Sequence, residues 1–241
     1  TGPSPALFET RVFVEQDTGT ALSRLLFFPV VPFTLPVFSS SRRRSTGVTF
    51  WCADMGQITM VTGGARSGKS RYAEQLAAQT GERVLYLATA RVLDGEMEER
   101  IARHKAQRPA GWRTIETPLN LAGVITAEAG HHDGLLLDCL TVFLTNRILA
   151  HPVDWDKPDR NQLNEIEAEL LGEVKAIVEA ARQTSAPLIV VTNEVGFGIV
   201  PLSPLARFFR DCAGRANQRF AEAATSVFLV VAGIPLRIKG E

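Results

Sequence analysis

Gly63-Gly64-Ala65-Arg66-Ser67-Gly68-Lys69-Ser70 fits the pattern GxxxxGK[ST] without a gap. Each residue type answers a requirement of phosphate binding. Glycines let the backbone curl so that successive N–H groups converge on an anion. A helix that begins at the end of the loop adds unpaired donors and a partial positive charge. Lys69 can bridge β and γ phosphates, and the Ser70 hydroxyl can serve a bound Mg²⁺. A chance glycine turn with an incidental lysine is the bland alternative. The apolar run before the loop and the amphipathic run after it argue against that alternative.

The loop binds phosphate but does not name a reaction. A second candidate stands at the end of LLLD, where Asp138 would hold the metal's water shell. An ordinary strand-end aspartate that caps a turn is the competing reading. Glu194, in TNEVG, also sits at a predicted strand end. A metal or substrate role and a purely structural hydrogen bond are both open for it.

These residues need a scaffold, and residues 55–241 supply its pattern. Short apolar runs at 57–63, 83–89, 135–140, 187–194 and 226–233 predict buried strands, the last of them closing the chain's order. Amphipathic stretches at 70–80, 94–107, 117–129, 164–183 and 203–224 predict helices, with TVFLTNRILA returning as another after the third strand. Thr117 followed by Pro118 reads as a cap and first turn. HHDG (131–134) reads as a turn, and 151–162 as a surface connection. Non-alternating strands separated by helices predict an α/β fold of the P-loop NTPase type: a mostly parallel sheet with helices on both faces. Ligands in such sheets sit at the carboxyl ends of strands. GGARSGKS, TARVLDGE, DCLT and NEVGFG all occupy such positions.

The whole composition narrows the class. Lys plus Arg and Asp plus Glu both number 26, so the chain has no net charge to draw it to nucleic acid or a membrane surface. An apolar share of 45% suits a globular protein with a sizeable core. Cys52, Cys139 and Cys212 form no CxxC or Cys/His pattern, and three reduced, buried thiols are expected. Residues 1–54 differ from the remainder: they hold no lysine and seven of the 13 phenylalanines. Pro29, Pro32 and Pro36 interrupt their apolar run, so no membrane span is expected there. The Arg cluster follows that run, where a signal peptide would have it first. This segment reads as a disordered extension or an over-long start ahead of Met55, with 55–241 as the working domain.

VTGGARSGKSRYAE, VLYLATA, DGEMEERIARHKAQRPAGW, LLLDCLT, VTNEVGFGIVP and LARFFRDCAGRANQR together resemble the bifunctional adenosylcobinamide kinase/adenosylcobinamide-phosphate guanylyltransferase family of cobalamin biosynthesis. The resemblance runs from about Met55 to about Lys239 with order and spacing kept. It implies a cytoplasmic enzyme using GTP, ATP and Mg²⁺ on a small-molecule corrinoid, and a homo-oligomer, expected as a trimer. The first reaction it implies is phosphorylation of the aminopropanol hydroxyl of adenosylcobinamide. The second carries GMP from GTP through a guanylyl-histidine to the new phosphate. The matching nucleophile is His104, preceded here by Arg103 where relatives often have a second histidine. The residues alone would read His104 as a half-buried helix position beside Ile101. The resemblance also puts Thr89, Ala90, Arg91, Lys105, Ala106, Gln107 and Arg108 along the nucleotide, with Glu116 and Asp138 toward its base or ribose. Asp138 replaces the more common glutamate, one methylene shorter. His131, His132 and His151 receive no function. The competing reading is a P-loop kinase of another small metabolite without guanylyl transfer; a nucleotide switch would need a base-reading NKxD motif, which the chain lacks.

Overall fold

The computed structural model describes residues 56–90, 109 and 111–240, all within a compact unit that spans Thr49–Glu241. The expected extension at 1–54 and the expected helix at 94–107 lie outside the described residues.

Among the described residues seven strands form one sheet: β1 (Ile58–Gly63), β2 (Val84–Ala88), β3 (Arg113–Glu116), β4 (Gly134–Asp138), β5 (Leu188–Val191), β6 (Ser226–Val231) and β7 (Ile234–Lys239). Their spatial order is β3-β2-β4-β5-β1-β6-β7, and every pairing is parallel except β6 with β7. The described helices are α1 (Lys69–Ala78), α2 (Leu121–Glu128), α3 (Leu140–Leu149), α4 (Arg160–Arg182) and α5 (Pro204–Ala223).

Period-two alternation along each strand decides which face a side chain enters. Ile58, Met60, Leu135, Leu137, Leu188 and Val190 face a core built with α2, α3, α4 and α5. Val61, Leu136, Ile189 and Val191 face the other side, where Ala73 and Ala77 of α1 cover them. Both faces of the sheet are therefore apolar, and that is why the strands read as unbroken hydrophobic runs. Helix α4 buries Ile166, Leu170, Val174, Ile177 and Ala181 at three- and four-residue spacing. Each of the four larger side chains, Ile166, Leu170, Val174 and Ile177, contributes about 1.5–3 kcal/mol of transfer free energy. Asp159 starts this helix, with its carboxylate accepting from the N–H groups of Asn161 and Gln162.

Three expectations are corrected. Arg113–Glu116 is a strand at the sheet edge that the apolar pattern does not announce. β6 is not the last strand: Ala232 and Gly233, with φ of 51° and 81°, form a two-residue turn into β7. Thr117 does not cap α2. Its N–H donates to the Ala88 carbonyl and prolongs the β2–β3 ladder, while the Asn120 side chain accepts from Gly123 N and caps the helix. The first residue of HHDG, His131, ends a short 3-10 helix, Ala129–His131. Cys139 and Cys212 are buried free thiols, and Cys52 lies outside the described residues.

Candidate active site

The phosphate loop leaves β1 at Gly63 and enters α1 at Lys69. Two of its glycines are required by the packing. A Cβ on Gly63 would stand 2.5 Å from the Val230 carbonyl and 2.7 Å from Ser67 Oγ. Gly68 has φ of 92°, and its Cβ would meet Gly233 Cα at 3.2 Å. Gly64, by contrast, has open space where a side chain would go. Arg66 adopts φ of 60°, the left-handed conformation that turns the crown of the loop. Exchanging Gly63 for alanine is accordingly expected to destabilise the fold by about 2–4 kcal/mol, against less than about 1 kcal/mol for the same change at Gly64. Urea unfolding midpoints of the two variants check the contrast.

Neighbouring elements hold the loop from both sides. Gly233 N donates to the Ser67 carbonyl at 2.8 Å, so the β6–β7 turn buttresses its outer half. Glu194 N donates to the Gly63 carbonyl at 3.1 Å, which ties the segment after β5 to its inner half. Lys69 is 9% exposed, and its ammonium donates to the Gly64 carbonyl at 3.1 Å. The lysine thus lies across the mouth of its own loop. Ser70 follows it in the first turn of α1, half-buried.

The register of the sheet places the other candidates. Glu116, Ala88, Asp138, Val191 and Val61 lie side by side across β3, β2, β4, β5 and β1. With strands about 4.8 Å apart, Asp138 stands roughly 10 Å from β1 and Glu116 roughly 19 Å from it. All of them end at the edge where the phosphate loop begins. Asp138 Oδ2 accepts from the Tyr86 hydroxyl at 2.7 Å. Burial pushes the adjacent Cys139 thiol pKa up; Asp138 adds to the shift, and nearby Lys69 opposes it. Lys69 and Asp138 therefore share one electrostatic neighbourhood around Cys139.

Thr89 is fully buried. Its hydroxyl donates to the Cys139 carbonyl at 2.9 Å and accepts from Cys139 N at 2.8 Å. Ala90 beside it is half-buried. Arg91, His104, Lys105, Ala106, Gln107 and Arg108 lie outside the described residues, so the expected nucleophile has no position here. Glu194 spends one carboxylate oxygen on Gly196 N at 3.1 Å, a local turn contact. Past it, Phe197 and Leu202 are 84% and 96% exposed on the segment leading to α5.

A polar network behind the strand ends is not singled out by sequence reasoning. Thr192 Oγ1 donates to Asn217 Oδ1 at 2.7 Å, and Asn217 Nδ2 donates to the Asn193 carbonyl at 3.1 Å. Asn193 in turn donates to Thr141 Oγ1 through its backbone and side-chain nitrogens, at 3.2 and 3.0 Å. Asn146 Nδ2 donates to the Thr89 carbonyl at 2.8 Å. Polar residues inside otherwise apolar helices and strand ends were the available signal.

Among the described residues no group of three or more His, Cys, Asp or Glu gathers as a metal cage. A Mg²⁺ ion at a nucleotide site takes one or two protein oxygens beside phosphate oxygens and water. Ser70 and Asp138 are oxygen donors of that kind.

The family model for cobinamide kinase / cobinamide phosphate guanyltransferase matches residues 59–238. A "Bifunctional adenosylcobalamin biosynthesis protein CobU" of Salmonella typhimurium is 47% identical over 182 residues, covering 76% of this chain and 99% of its own. A protein of the same name from Escherichia coli is 46% identical over the same length, with coverage of 76% and 99%. The "Bifunctional adenosylcobalamin biosynthesis protein CobP" of Pseudomonas aeruginosa is 47% identical, with coverage of 76% and 97%. The crystal structure of the RadB recombinase aligns over 73% of this chain and 74% of its own at 17% identity and a TM-score of 0.39, too distant to bear on the site. By the extent of the family match and of these three relatives, the chain belongs to the cobinamide kinase / cobinamide phosphate guanyltransferase family.

Proposed function

We propose that this chain phosphorylates the aminopropanol hydroxyl of adenosylcobinamide with a nucleoside triphosphate and then transfers GMP from GTP to the new phosphate. The observation that carries the reading is the built phosphate loop, Gly63 to Ser70, within a family match that spans nearly all of the described sheet. In the first step the substrate oxygen attacks the γ-phosphorus and the nucleoside diphosphate leaves. Lys69 and the loop N–H groups neutralise charge that builds on the β and γ oxygens. Mg²⁺ held through Ser70 and Asp138 would supply a Lewis acid at those same oxygens.

In the second step a neutral His104 nitrogen attacks the α-phosphorus of GTP and pyrophosphate leaves. The resulting phosphoramidate gives its GMP to a substrate phosphate oxygen, and the imidazole is restored. Lys105 and Arg108 follow His104 closely in sequence, which suits them to the α-phosphate charge. Arg91, with Thr89 and Ala90 before it, begins the segment that carries this histidine. The row of strand ends from β1 to Glu116 offers a bed along which a nucleotide can lie with its phosphates in the loop.

A homo-oligomer belongs to the same reading, supported by Ile234, Leu236 and Ile238 of β7, each more than half exposed on an edge strand. No helix among the described residues is long and apolar enough to cross a membrane. The test is mass analysis after incubation with GTP. A GMP adduct is expected on the peptide that contains His104, removed by acid and kept in base. Kinase activity on the corrinoid with no adduct would favour a simple metabolite kinase instead.

A further inference from the structure

We propose that Thr89 is a positioning residue that acts through Asp138 and does not touch the nucleotide. The inference rests on the reading above for the role of Asp138. Three observations carry it. Thr89 has no exposed surface, and both hydrogen-bonding capacities of its hydroxyl are used by one neighbour, the backbone of Cys139. The Thr89 N–H donates to the Asp138 carbonyl at 3.2 Å, so the peptide groups on both sides of Cys139 are held. Asn146, itself buried in α3, then fixes the Thr89 carbonyl at 2.8 Å and reaches the Pro118 carbonyl at 3.5 Å.

The consequence is mechanical. β4 ends at Asp138, and beyond a strand end the ladder no longer dictates where the chain points. Thr89, just past the end of β2, replaces that ladder by clamping Cys139, the residue after β4. The Asp138 carboxylate is then held at its root by Thr89 and at its tip by the Tyr86 hydroxyl, both from the same neighbouring strand segment. A carboxylate fixed at two points keeps its lone pairs aimed at a metal's water shell; one fixed at the tip alone can swing.

The test uses the full chain and a fluorescent GTP analogue, titrated with Mg²⁺ and with chelator. In the unaltered protein Mg²⁺ is expected to tighten binding. Thr89→Val, which keeps the shape and removes both hydroxyl bonds, should leave the metal-free affinity within about threefold and cut the Mg²⁺ gain by about 10–100-fold. Thr89→Ser should keep the gain. Asp138→Asn should lose it, and adding Thr89→Val to Asp138→Asn should cost little more, because both changes act on one group. If Thr89→Val unfolds, Thr89→Ala removes the hydroxyl without adding atoms and carries the same comparison. Weaker binding without Mg²⁺ would make Thr89 a direct nucleotide contact and overturn the proposal. So would a serine variant as poor as valine, an additive double variant, a wild type without Mg²⁺ gain, or misfolding of both valine and alanine variants. A chain that binds GTP with Mg²⁺ but does not phosphorylate cobinamide would sink the proposed function while these titrations still decide the role of Thr89.

Discussion

His104→Ala is expected to lower guanylyl transfer by at least roughly a thousand-fold while leaving corrinoid phosphorylation within about tenfold of the unaltered enzyme. The asymmetry follows from bond accounting. Phosphorylation moves one phosphoryl group from the γ-phosphorus to a substrate oxygen, and no protein atom is bonded in between. Guanylyl transfer by the proposed route needs a nitrogen that first takes GMP and then gives it up. Alanine removes that nitrogen, and no neighbouring lysine or arginine replaces it, because both stay protonated near neutral pH. Separate assays with cobinamide and with pre-formed cobinamide phosphate check both halves. Loss of both activities would point to a fold defect, and a normal rate of GDP-linked product would refute a covalent histidine.

The degree to which the site was legible depends on how local each requirement is. The phosphate loop is written in eight consecutive residues, so its glycines, lysine and serine carry their roles in the local pattern. The need for Gly63 is only partly local. Its missing side chain also makes room for the Val230 carbonyl on β6, a contact between residues far apart in the chain. The Gly233 bond to Ser67 has the same character: a turn at the far end of the sequence supports the loop, and no pattern near Ser67 announces it. Thr89 could be placed at a strand end from the sequence, but its consumption by Cys139 could not, since that pairing is set by β2 lying beside β4.

The fold shows a similar division. Central strands such as LLLD and LIVV are buried on both faces and read plainly. The two edge strands escaped for different physical reasons. β3 has only one sheet neighbour and is short, with a charged residue at each end, so its sequence RTIE carries little apolar signal. β7, IPLRIK, contains Pro235, which cannot donate to a ladder and therefore argues against a central strand. At an edge that objection disappears. Thr117-Pro118 reads locally as the start of α2, whereas the side chain that caps the helix belongs to Asn120. The strand ladder settles the matter by occupying the Thr117 N–H.

Lys69→Ala should reduce both reactions by roughly 100–1,000-fold, in contrast to His104→Ala, which divides them. The lysine is nearly buried, and its ammonium rests 3.1 Å from the Gly64 carbonyl, on the loop that must receive phosphate. It is a compact charge already desolvated and already aimed, so little reorganisation is needed when negative charge grows on the bridging oxygens. Both proposed steps expel a phosphate-bearing leaving group, a nucleoside diphosphate in one and pyrophosphate in the other, and both draw on the same cradle. Alanine would also leave the Gly64 carbonyl without this donor, which loosens the loop slightly, so a small rise in KM for the nucleotide is expected beside the larger fall in kcat. Lys69→Arg should not rescue: the planar guanidinium is larger than the ammonium it replaces, and the mouth of the loop is occupied by its own backbone. Steady-state rates for the two half-reactions, measured on variants whose unfolding midpoints match the unaltered protein, decide it. A variant that lost phosphorylation but kept full guanylyl transfer would mean that the two reactions do not share one phosphate loop.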